Sequence, residues 1–385
     1  MNHAILSPSS SHRWLICTPS ARLEQGFPDT NSDVAAEGTF AHLWAEIQLC
    51  HFHKQMSDED FKAEIAHLTQ NKFYSKGLEE YVALYIDTVI EKFHKAIEVD
   101  KGATLLLEQK FNLNDYVPEC YGHADAVILV DGNMEVVDLK YGAGVSVSAS
   151  NNPQLRLYAL GAYSELAFLY DIKQVTMTIV QPRNGGISSE TLAISDLLNW
   201  ADTIKQIAQL AFKGEGNFKA GEHCKFCKAA NRCKAFADYQ LAVVKNDFDT
   251  PDLLTDEDLT HILSRADSII KWLNNIKNFM LTAAVNLGKH WKGFKLVEGR
   301  SVRKITDADK AAEILKDNGG TDEQIWKPKE LLNLTTLEKN FGKKKLAEML
   351  KPVIEKPAGA PTLVPVTDPR AEWHNSKNDF DKLEM

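Results

Sequence analysis

The strongest constraint on the fold is a change of hydrophobic spacing near residue 104. Before it, residues 35–50 and 77–99 carry apolar side chains three or four positions apart, as amphipathic helices do. From 104 to 140 the chain has short β-branched runs instead, and Asp131-Gly132 between two of them is typical of a tight hairpin. The spacing therefore predicts helices followed by antiparallel strands.

Further elements alternate after the hairpin. We expect a helix at 153–169, a strand at 174–182 and a helix at about 192–212. Residues 255–288 open with Thr255 and an acidic first turn, which predicts a long amphipathic helix. The order of helices and strands predicts an α/β core with a mixed sheet.

The chain has 385 residues, which is long for one small domain. We expect an enlarged core at 1–245, a helical segment at 246–289 and a small C-terminal α+β module at 290–385. The last part is more polar than the rest, and a strand of that module would carry Arg300 and Arg303.

Charge and hydropathy restrict the possible partners. A net charge of −9 excludes general binding to polyanions, so any phosphate contact must come from a local patch. Residues 213–234 and 343–345 are such basic stretches, although stretches like these are usually solvated surface and the second could equally bind a protein. No apolar run is long enough to span a membrane and no signal core is visible, which predicts a soluble intracellular protein.

The hairpin brings two acidic residues near each other. Centred on its glycine, the hairpin puts Asp138 across from position 126, beside Asp125. Strand alternation places Asp138 and Lys140 on one face, with Leu139 pointing to the opposite layer. Neighbouring carboxylates repel unless a cation lies between them, and oxygen ligands suit Mg²⁺ or Mn²⁺.

Such a site has the parts needed for phosphodiester hydrolysis, because Lys140 could position a water molecule or offset charge on phosphorus. The alternative is that these are ordinary polar residues of an edge strand, since the D-x-K triplet is common. Asp138 ends an apolar strand, MEVVDL, where a charge is costly without a partner. This position favours the functional interpretation.

Three of the six cysteines form the pattern C-x2-C-x5-C: Cys224, Cys227 and Cys233. In a reducing compartment this spacing indicates a metal site rather than disulfides. From the spacing alone, an iron–sulfur cluster, a zinc site that uses His223, and buried thiols without metal all stay open. We expect Cys50 and Cys120 to be plain buried residues.

The chain resembles RecB-like members of the PD-(D/E)XK nuclease superfamily, and the core motifs span about 37–160. The motifs occur here in the family's order as Gly38, Thr39, His42 and Glu46; Gly122 and Asp125; Asp138, Leu139 and Lys140; and Gln154, Leu155 and Tyr158. The resemblance implies a restriction-endonuclease-like core, in which a mixed central sheet is flanked by helices.

The resemblance also implies roles for these residues. The metal, Mg²⁺ or Mn²⁺, would be bound by His42, Asp125, Asp138 and the Leu139 carbonyl. The catalytic set would be Lys140 with Asp125 and Asp138, supported by Gln154 and Tyr158, which could instead contact DNA. Glu108, in the first strand, lies where some relatives carry an acidic residue, and Glu37 is a weaker ligand candidate.

Helical spacing independently puts Thr39, His42 and Glu46 on one face of the first long helix. The residues expected to face the core are Phe40, Leu43 and Ile47. A lone histidine on such a helix is more often structural than a ligand. The ligand role of His42 therefore depends on the other motifs.

By resemblance to AddB-type helicase-nucleases and to CRISPR adaptation nucleases, Cys17 would be the fourth cysteine ligand. In those proteins one cysteine lies upstream of the nuclease motifs and three lie downstream, as here over 17–233. The resemblance implies a structural [4Fe–4S] cluster on Cys17, Cys224, Cys227 and Cys233 that fastens the two ends of the core together. Zinc is the alternative.

The function implied is that of a metal-dependent deoxyribonuclease, in particular an exonuclease of phage recombination, repair or DNA processing. The chain is also similar to phage-encoded proteins with this nuclease core, which favours a phage or prophage origin and, with it, the cytoplasm of a bacterial host as the expected location. DNA is the expected partner, and a phage recombinase or single-strand-binding protein is a further one. The alternatives are a non-catalytic DNA- or partner-binding subunit and a redox or zinc-binding regulator. Exonuclease or endonuclease action, polarity, strand preference and oligomeric state do not follow from the sequence.

Overall fold

The computed structural model describes residues 4–28, 33–184, 186–245, 255–294, 317 and 334–350. The strands in this part of the chain are β1 (Thr104–Asn112), β2 (Tyr121–Val130), β3 (Asn133–Leu139), β4 (Gln174–Gln181) and β5 (Gly186–Ala193). The helices, in chain order, are α1 (Ser11–Trp14), α2 (Ser20–Glu24), α3 (Asp33–Phe52), α4 (Asp58–Leu68), α5 (Lys76–Val99), α6 (Pro153–Leu166), α7 (Ile194–Lys213), α8 (Lys234–Lys245), α9 (Asp256–Leu287), α10 (Leu334–Phe341) and α11 (Lys343–Leu350). Short 3₁₀ helices cover Pro8–Ser10 and Glu222–Phe226.

The strands form one mixed sheet in the order β1-β2-β3-β4-β5. β3 and β4 are parallel, and the other neighbouring pairs are antiparallel. A parallel pair needs a crossover connection, which α6 provides between β3 and β4. The mixed sheet flanked by helices that the sequence predicts is present.

The hairpin between β2 and β3 has a register that differs by one residue from the predicted one. Ala126 pairs with Val137, so Asp138 follows directly opposite Asp125 and not opposite position 126. The difference arises because the turn is centred between its two residues and not on Gly132. Gly132 has φ of 84°, a left-handed conformation that favours glycine.

Helices cover both faces of the sheet. One face packs against α3 and α5 and contributes Ala126, Ile128, Val137 and Leu139 to the core. The opposite face packs against α6 and α7 and contributes Val127, Leu129, Met134 and Val136. Alternate residues of β2 and β3 thus enter opposite layers, as strand geometry requires.

Helix α3 turns a slightly different side to the core from the one expected. Phe40 and Ile47 are buried, but Leu43 is 41% exposed, so its assignment to the core was wrong. Trp44 is 4% exposed and takes the inward position instead. Phe40, Trp44 and Ile47 follow one another at four and three positions on one face of the helix, and Leu43 lies off that line.

Several described elements were not predicted, among them α4, β5 and α8. α4 is short and highly charged, and it begins at Ser57, whose side chain accepts a hydrogen bond from the backbone of Asp60. β5 is an edge strand in which exposed and half-buried residues alternate, so it lacks an apolar run. α8 follows the cysteine segment directly. In each of these elements tertiary contacts or capping outweigh weak local patterns.

A buried ion pair within the N-terminal segment is hydrogen-bonded to the cysteine segment. Arg13 Nε donates to Glu24 Oε2 at 2.9 Å, and both side chains are about 10% exposed. Arg13 also donates to the Phe226 carbonyl at 3.3 Å, and Glu24 accepts from the Lys228 backbone at 2.8 Å. Thr18 donates to the Glu215 carbonyl at 2.6 Å. The two ends of the core are therefore joined by polar contacts as well as by packing.

The helices α10 and α11 pack on α5. The Lys344 backbone N–H donates to Glu80 Oε2 at 3.1 Å, and Lys343 Nζ donates to the Tyr81 hydroxyl at 3.1 Å. Most of the expected module at 290–385 lies outside the described residues, and so do Arg300 and Arg303. Within the described ranges, no helix has the length and apolar content needed to cross a membrane.

Candidate metal centre

Three potential metal ligands meet beside the carboxyl end of β3. His42 comes from α3, Glu108 from β1 and Asp125 from β2, and their ligand atoms lie within 4.8 Å of one another. His42 Nδ1 is 3.4 Å from Asp125 Oδ2. Carboxylates suit Mg²⁺ and Mn²⁺, while imidazole favours transition metals, so this mixed donor set fits Mn²⁺ at least as well as Mg²⁺.

The backbone of β1 and β2 is irregular where Glu108 and Asp125 lie. Glu108 has φ of 46°, a left-handed conformation that is uncommon for a residue with a side chain. The register pairs Leu107 with Ala126 and Gln109 with Ala124, so Glu108 and Asp125 lie opposite each other where the ladder is interrupted.

The irregularity also changes which face of the sheet each strand presents. Ala124 belongs to the core cluster on the α6 and α7 side, whereas Ala126 belongs to the cluster on the α3 and α5 side. In a regular strand, residues two apart share a face. β1 changes face in the same place, because Leu107 packs on the α3 and α5 side and Phe111 on the opposite side. This shared break places two acidic side chains beside His42.

Asp138 and Lys140 form the second half of the site. Asp138 is 2% exposed, and Lys140 Nζ lies 2.8 Å from its Oδ2. That oxygen has no well-aligned hydrogen-bond donor, so the contact is mainly one between opposite charges. The Leu139 backbone N–H donates to Asp125 Oδ2 at 2.7 Å, which ties β3 to the metal-ligand group.

A chain of side chains continues from Lys140 into α6. Lys140 Nζ donates to Gln154 Oε1 at 3.0 Å, and Gln154 Nε2 donates to the Tyr158 hydroxyl at 2.9 Å. Gly122 makes room for the tyrosine ring, since a Cβ atom there would lie 2.7 Å from Tyr158 Cε1 and 2.7 Å from Pro8 Cγ. The predicted supporting residues Gln154 and Tyr158 therefore contact the lysine or its partner.

The charges at the site shift the pKa values of its groups. Burial lowers the pKa of His42, but the charge and hydrogen bond of Asp125, with smaller contributions from Asp138 and Glu108, outweigh it and raise the pKa to about 9. Burial raises the pKa of Asp125, but His42, Lys140 and the Leu139 N–H together hold that pKa below its usual value.

The other acidic groups shift upward. Burial and the charge of Asp125 raise the pKa of Glu108 to about 8. Burial, with a contribution from Asp125, also raises the pKa of Asp138 despite the nearby Lys140. Burial lowers the pKa of Lys140, but the charges of Asp138 and Asp125 raise it further, so this lysine stays cationic at neutral pH.

Other residues from the motifs lie outside the three-ligand group. Asp138 forms an ion pair with Lys140. Glu46 is not among the three ligands either, and burial raises the pKa of its carboxyl. The Thr39 hydroxyl donates to a carbonyl of its own helix, and Glu37 forms an ion pair with Arg183 at 3.2 Å. The Leu139 and Leu155 side chains are buried in the two cores, and binding of metal by the Leu139 carbonyl stays a prediction.

Glu108 is the ligand candidate that the motifs underrate. Glu108 has a left-handed backbone, but the sequence gives no reason to expect one at this position of a strand. A glycine or asparagine there would have indicated it, because these residues adopt that conformation most readily. The one signal in the sequence was an acidic residue within a mostly apolar strand.

The four cysteines of the predicted cluster line one small cavity. Cys17 reaches it from the N-terminal segment, and the others come from the segment between α7 and α8. Burial raises the pKa of Cys224, and burial with the charge of Glu24 raises the pKa of Cys227 to about 12. The thiols of Cys224 and Cys227 therefore stay protonated unless a metal displaces their protons.

The remaining cysteines lie elsewhere. Cys120 is buried, and its thiol donates to the Leu6 carbonyl at 3.0 Å. Cys50 is half-buried in α3. His223, considered as a replacement ligand, lines the cysteine cavity, and its Nε2 lies 2.9 Å from the Lys219 carbonyl.

The raised pKa of Glu108 predicts how stability depends on pH in metal-free protein. The unfolded chain ionises this carboxyl near its ordinary value of 4.5 and the folded chain at about 8, so its contribution destabilises the fold increasingly over that interval. With EDTA present, Glu108→Gln should therefore gain stability relative to the wild type between pH 5 and pH 8.5, measured as the urea midpoint.

The matched control is Glu98→Gln, which changes an exposed glutamate near the end of α5. This variant should follow the wild type at both pH values. A Glu108→Gln difference that is the same at pH 5 and pH 8.5 would contradict the burial and charge described for Glu108.

Two solved structures show limited likeness to the chain. The crystal structure of SSO0001 is 16% identical, covering 41% of this chain and 78% of that one, with a TM-score of 0.22. A crystal structure described as a putative exonuclease from Eubacterium rectale is 10% identical, covering 66% of this chain and 92% of that one, with a TM-score of 0.31. At these TM-scores neither likeness bears on how this chain acts.

A family match covers far more of the chain. The family described as "Protein of unknown function (DUF2800)" matches residues 3–371, which include the metal-ligand group, the Lys140 chain, the cysteine cavity and α10 with α11. The match spans nearly the full length, and the protein is therefore a member of the DUF2800 family.

Proposed function

We propose that the protein is a metal-dependent deoxyribonuclease with a restriction-endonuclease-like core, and that it acts as an exonuclease in phage recombination, repair or DNA processing. One observation carries this proposal. His42, Glu108 and Asp125 converge from three elements, and the adjacent Lys140 is held by Asp138 and Gln154. Ligands and lysine together are what phosphodiester hydrolysis requires.

The charges of the group favour a divalent cation. Three carboxylates lie close together at Glu108, Asp125 and Asp138, and Lys140 balances only one of them. With His42 neutral, as a ligand must be, one divalent ion completes the balance. A bound Mn²⁺ or Mg²⁺ would supply Lewis-acid polarisation of a phosphoryl oxygen.

Lys140 is suited to act on the phosphate itself. Its ammonium group stays charged, and Asp138 on one side and Gln154 on the other fix its position. The side chain is 27% exposed, so it can also reach a bound strand. A fixed cation beside the reacting phosphorus stabilises the charge that develops in the transition state.

The proposed reaction is a hydrolysis. The oxygen of a water molecule forms a bond to phosphorus as the water loses a proton to solvent, the bond from phosphorus to the leaving sugar oxygen breaks, and that oxygen takes up a proton from solvent. Lys140 can orient the water or offset charge on the phosphorane oxygens. Gln154 and Tyr158 act as positioning residues, because they contact the lysine or each other.

A non-catalytic binding subunit is less well supported. Such a protein would have no need of a charged lysine between a buried carboxylate and a glutamine, beside three metal-type ligands. Burying these groups is costly unless each is paired. The pairing found here is that expected of a working hydrolytic site.

We also propose that Cys17, Cys224, Cys227 and Cys233 bind a [4Fe–4S] cluster. All four line one cavity, which supports a shared ligand. A [4Fe–4S] cluster would use all four thiolates, each bound to a different iron, whereas a zinc site would hold all four on one ion.

The nuclease proposal predicts metal-dependent loss of DNA. End-labelled linear and closed circular DNA, single- and double-stranded, should be incubated with Mn²⁺, Mg²⁺ or EDTA. We expect cleavage of linear DNA with either metal and none with EDTA. Lys140→Ala should lower kcat by roughly 10²–10³-fold, because it removes a preorganised charge at the reacting phosphate.

The matched control is Lys173→Ala. Lys173 is exposed and precedes β4, about 20 Å along the strand from the site, so this variant should keep wild-type activity. Cutting of circles would make the enzyme an endonuclease. Wild-type protein that binds Mn²⁺ yet cleaves none of the substrates would refute the proposal.

The cluster proposal predicts a brown protein after anaerobic purification, with about four iron and four sulfide per chain. Cys227→Ser should lower the iron content and the thermal midpoint together, whereas Cys50→Ser should change neither, since Cys50 lies outside the cavity. A colourless protein with about one zinc per chain would replace the cluster by a zinc site.

A further inference from the structure

A row of cations and aromatic rings leads away from the proposed active site. Tyr141 follows Lys140 directly, and the Arg183 guanidinium lies 4.9 Å from the centre of the Tyr141 ring. The same guanidinium lies 5.9 Å from the centre of the Tyr81 ring on α5. Lys343, at the start of α11, is 5.4 Å from the Tyr81 ring and donates to its hydroxyl.

The row begins beside the metal-ligand group. Tyr85 is buried one helical turn beyond Tyr81, in the same core as Ala126 and Leu139, the neighbours of Asp125 and Lys140 in the chain. One turn of helix is about 5.4 Å, so Tyr81 lies close to the centre. Arg183 follows β4, whose Val180 pairs with Leu139 at the same end of the sheet.

The lysines at the far end of the row are held in place. Gly342, between α10 and α11, has φ of 81°, and a Cβ atom there would lie against the Glu80 carboxylate. The Lys344 backbone N–H donates to that carboxylate. The start of α11 is therefore seated on α5, with the side chains of residues 343–345 exposed.

The charges of this surface are unequally paired. Glu37 is paired with Arg183, and Glu80 accepts from the Lys344 backbone and not from its side chain. Within the described residues, the ammonium groups of Lys344 and Lys345 form no ion pair. On a chain with net charge −9, two cations that have no ion pair in the described part of the chain, at the end of a row from the proposed active site, mark a local anion-binding surface.

We propose that Lys343, Lys344 and Lys345, together with Arg183, bind the phosphodiester backbone of the nucleic acid whose bond is cut at the metal centre. This inference rests on the proposed function. Tyr81 and Tyr141 are half-buried and buried, so they hold the cations in place and do not stack on bases. Contacts to phosphate alone give affinity without sequence preference.

The double variant Lys344→Ala/Lys345→Ala tests the surface without disturbing how α11 is seated. Both contacts that hold the turn, the Lys344 backbone bond to Glu80 and the Lys343 bond to Tyr81, remain. Fluorescence anisotropy with a labelled oligonucleotide in EDTA measures binding while cleavage is prevented. Repeating it over a range of salt concentrations gives the number of phosphate contacts.

We expect the salt slope of log K to fall by about 1.4 with single-stranded DNA and about 1.8 with double-stranded DNA. These values follow from the loss of two phosphate contacts, each of which contributes about 0.7 to the slope with single-stranded DNA and about 0.9 with double-stranded DNA. The DNA whose slope falls by its expected value is the one that the α11 surface binds. Lys344→Arg/Lys345→Arg should restore the slope. Hydrolysis of a small phosphodiester such as bis(p-nitrophenyl) phosphate should be unchanged in both variants, because it does not reach α11.

The matched control is Lys95→Ala/Lys101→Ala, which removes two exposed lysines about 20–30 Å away at the other end of α5. It should keep the wild-type slope. An unchanged slope in the α11 variant, an equal loss in the control, or a wild type that binds neither form of DNA would each overturn the inference. Lysine-dependent binding by a wild type that cleaves nothing would leave the surface standing and refute the proposed function instead.

Discussion

The rest of the site depends on the interactions of the Asp125 carboxylate. This carboxylate accepts a hydrogen bond from the β3 backbone at Leu139, lies 3.4 Å from His42 and shares the ligand group with Glu108. It thereby links the sheet, the first long helix and the irregular place in β1. Because this carboxylate is only 10% exposed, its negative charge must be stabilised by nearby groups and not by water.

The same need for balance accounts for the protonation of the site. Without metal, His42 is cationic with a pKa of about 9, and Glu108 keeps its proton up to about pH 8. The imidazolium of His42 then balances the negative charge of Asp125, and the ammonium group of Lys140 balances that of Asp138. A divalent ion would take over the role of both protons, because it needs a neutral imidazole and an ionised carboxylate as ligands. The group is thus arranged to exchange protons for metal near neutral pH.

The N-terminal segment connects this centre to the cysteine cavity. Pro8 packs at Gly122 against the ring of Tyr158, which supports Lys140 through Gln154, while Cys17 lines the cavity. A cluster at the cysteines would therefore fasten the segment that also packs behind the lysine proposed to be catalytic. On this account the cluster supports the active site through packing and takes no part in the chemistry.

Much of the arrangement could be predicted from the sequence, since alternation along β3 correctly puts Asp138 and Lys140 together and the hairpin correctly brings Asp125 close. The ligand role of Glu108 could not, because a left-handed residue inside a strand leaves no local pattern. Nor could the exposure of Leu43, which depends on how Trp44 fills the core, or the polar edge strand β5. Contacts between distant segments, such as Lys343 with Tyr81, have no signature in the sequence at all.

The most direct test of the metal centre is calorimetric titration of the protein with Mn²⁺ at pH 7 in buffers of different ionisation enthalpy. One ion should bind with release of about two protons, one from His42 and one from Glu108, given their pKa values of about 9 and about 8. Glu108→Gln should bind more weakly and release about one. Binding without proton release, or binding that Glu108→Gln leaves unchanged, would contradict a centre built from these ligands.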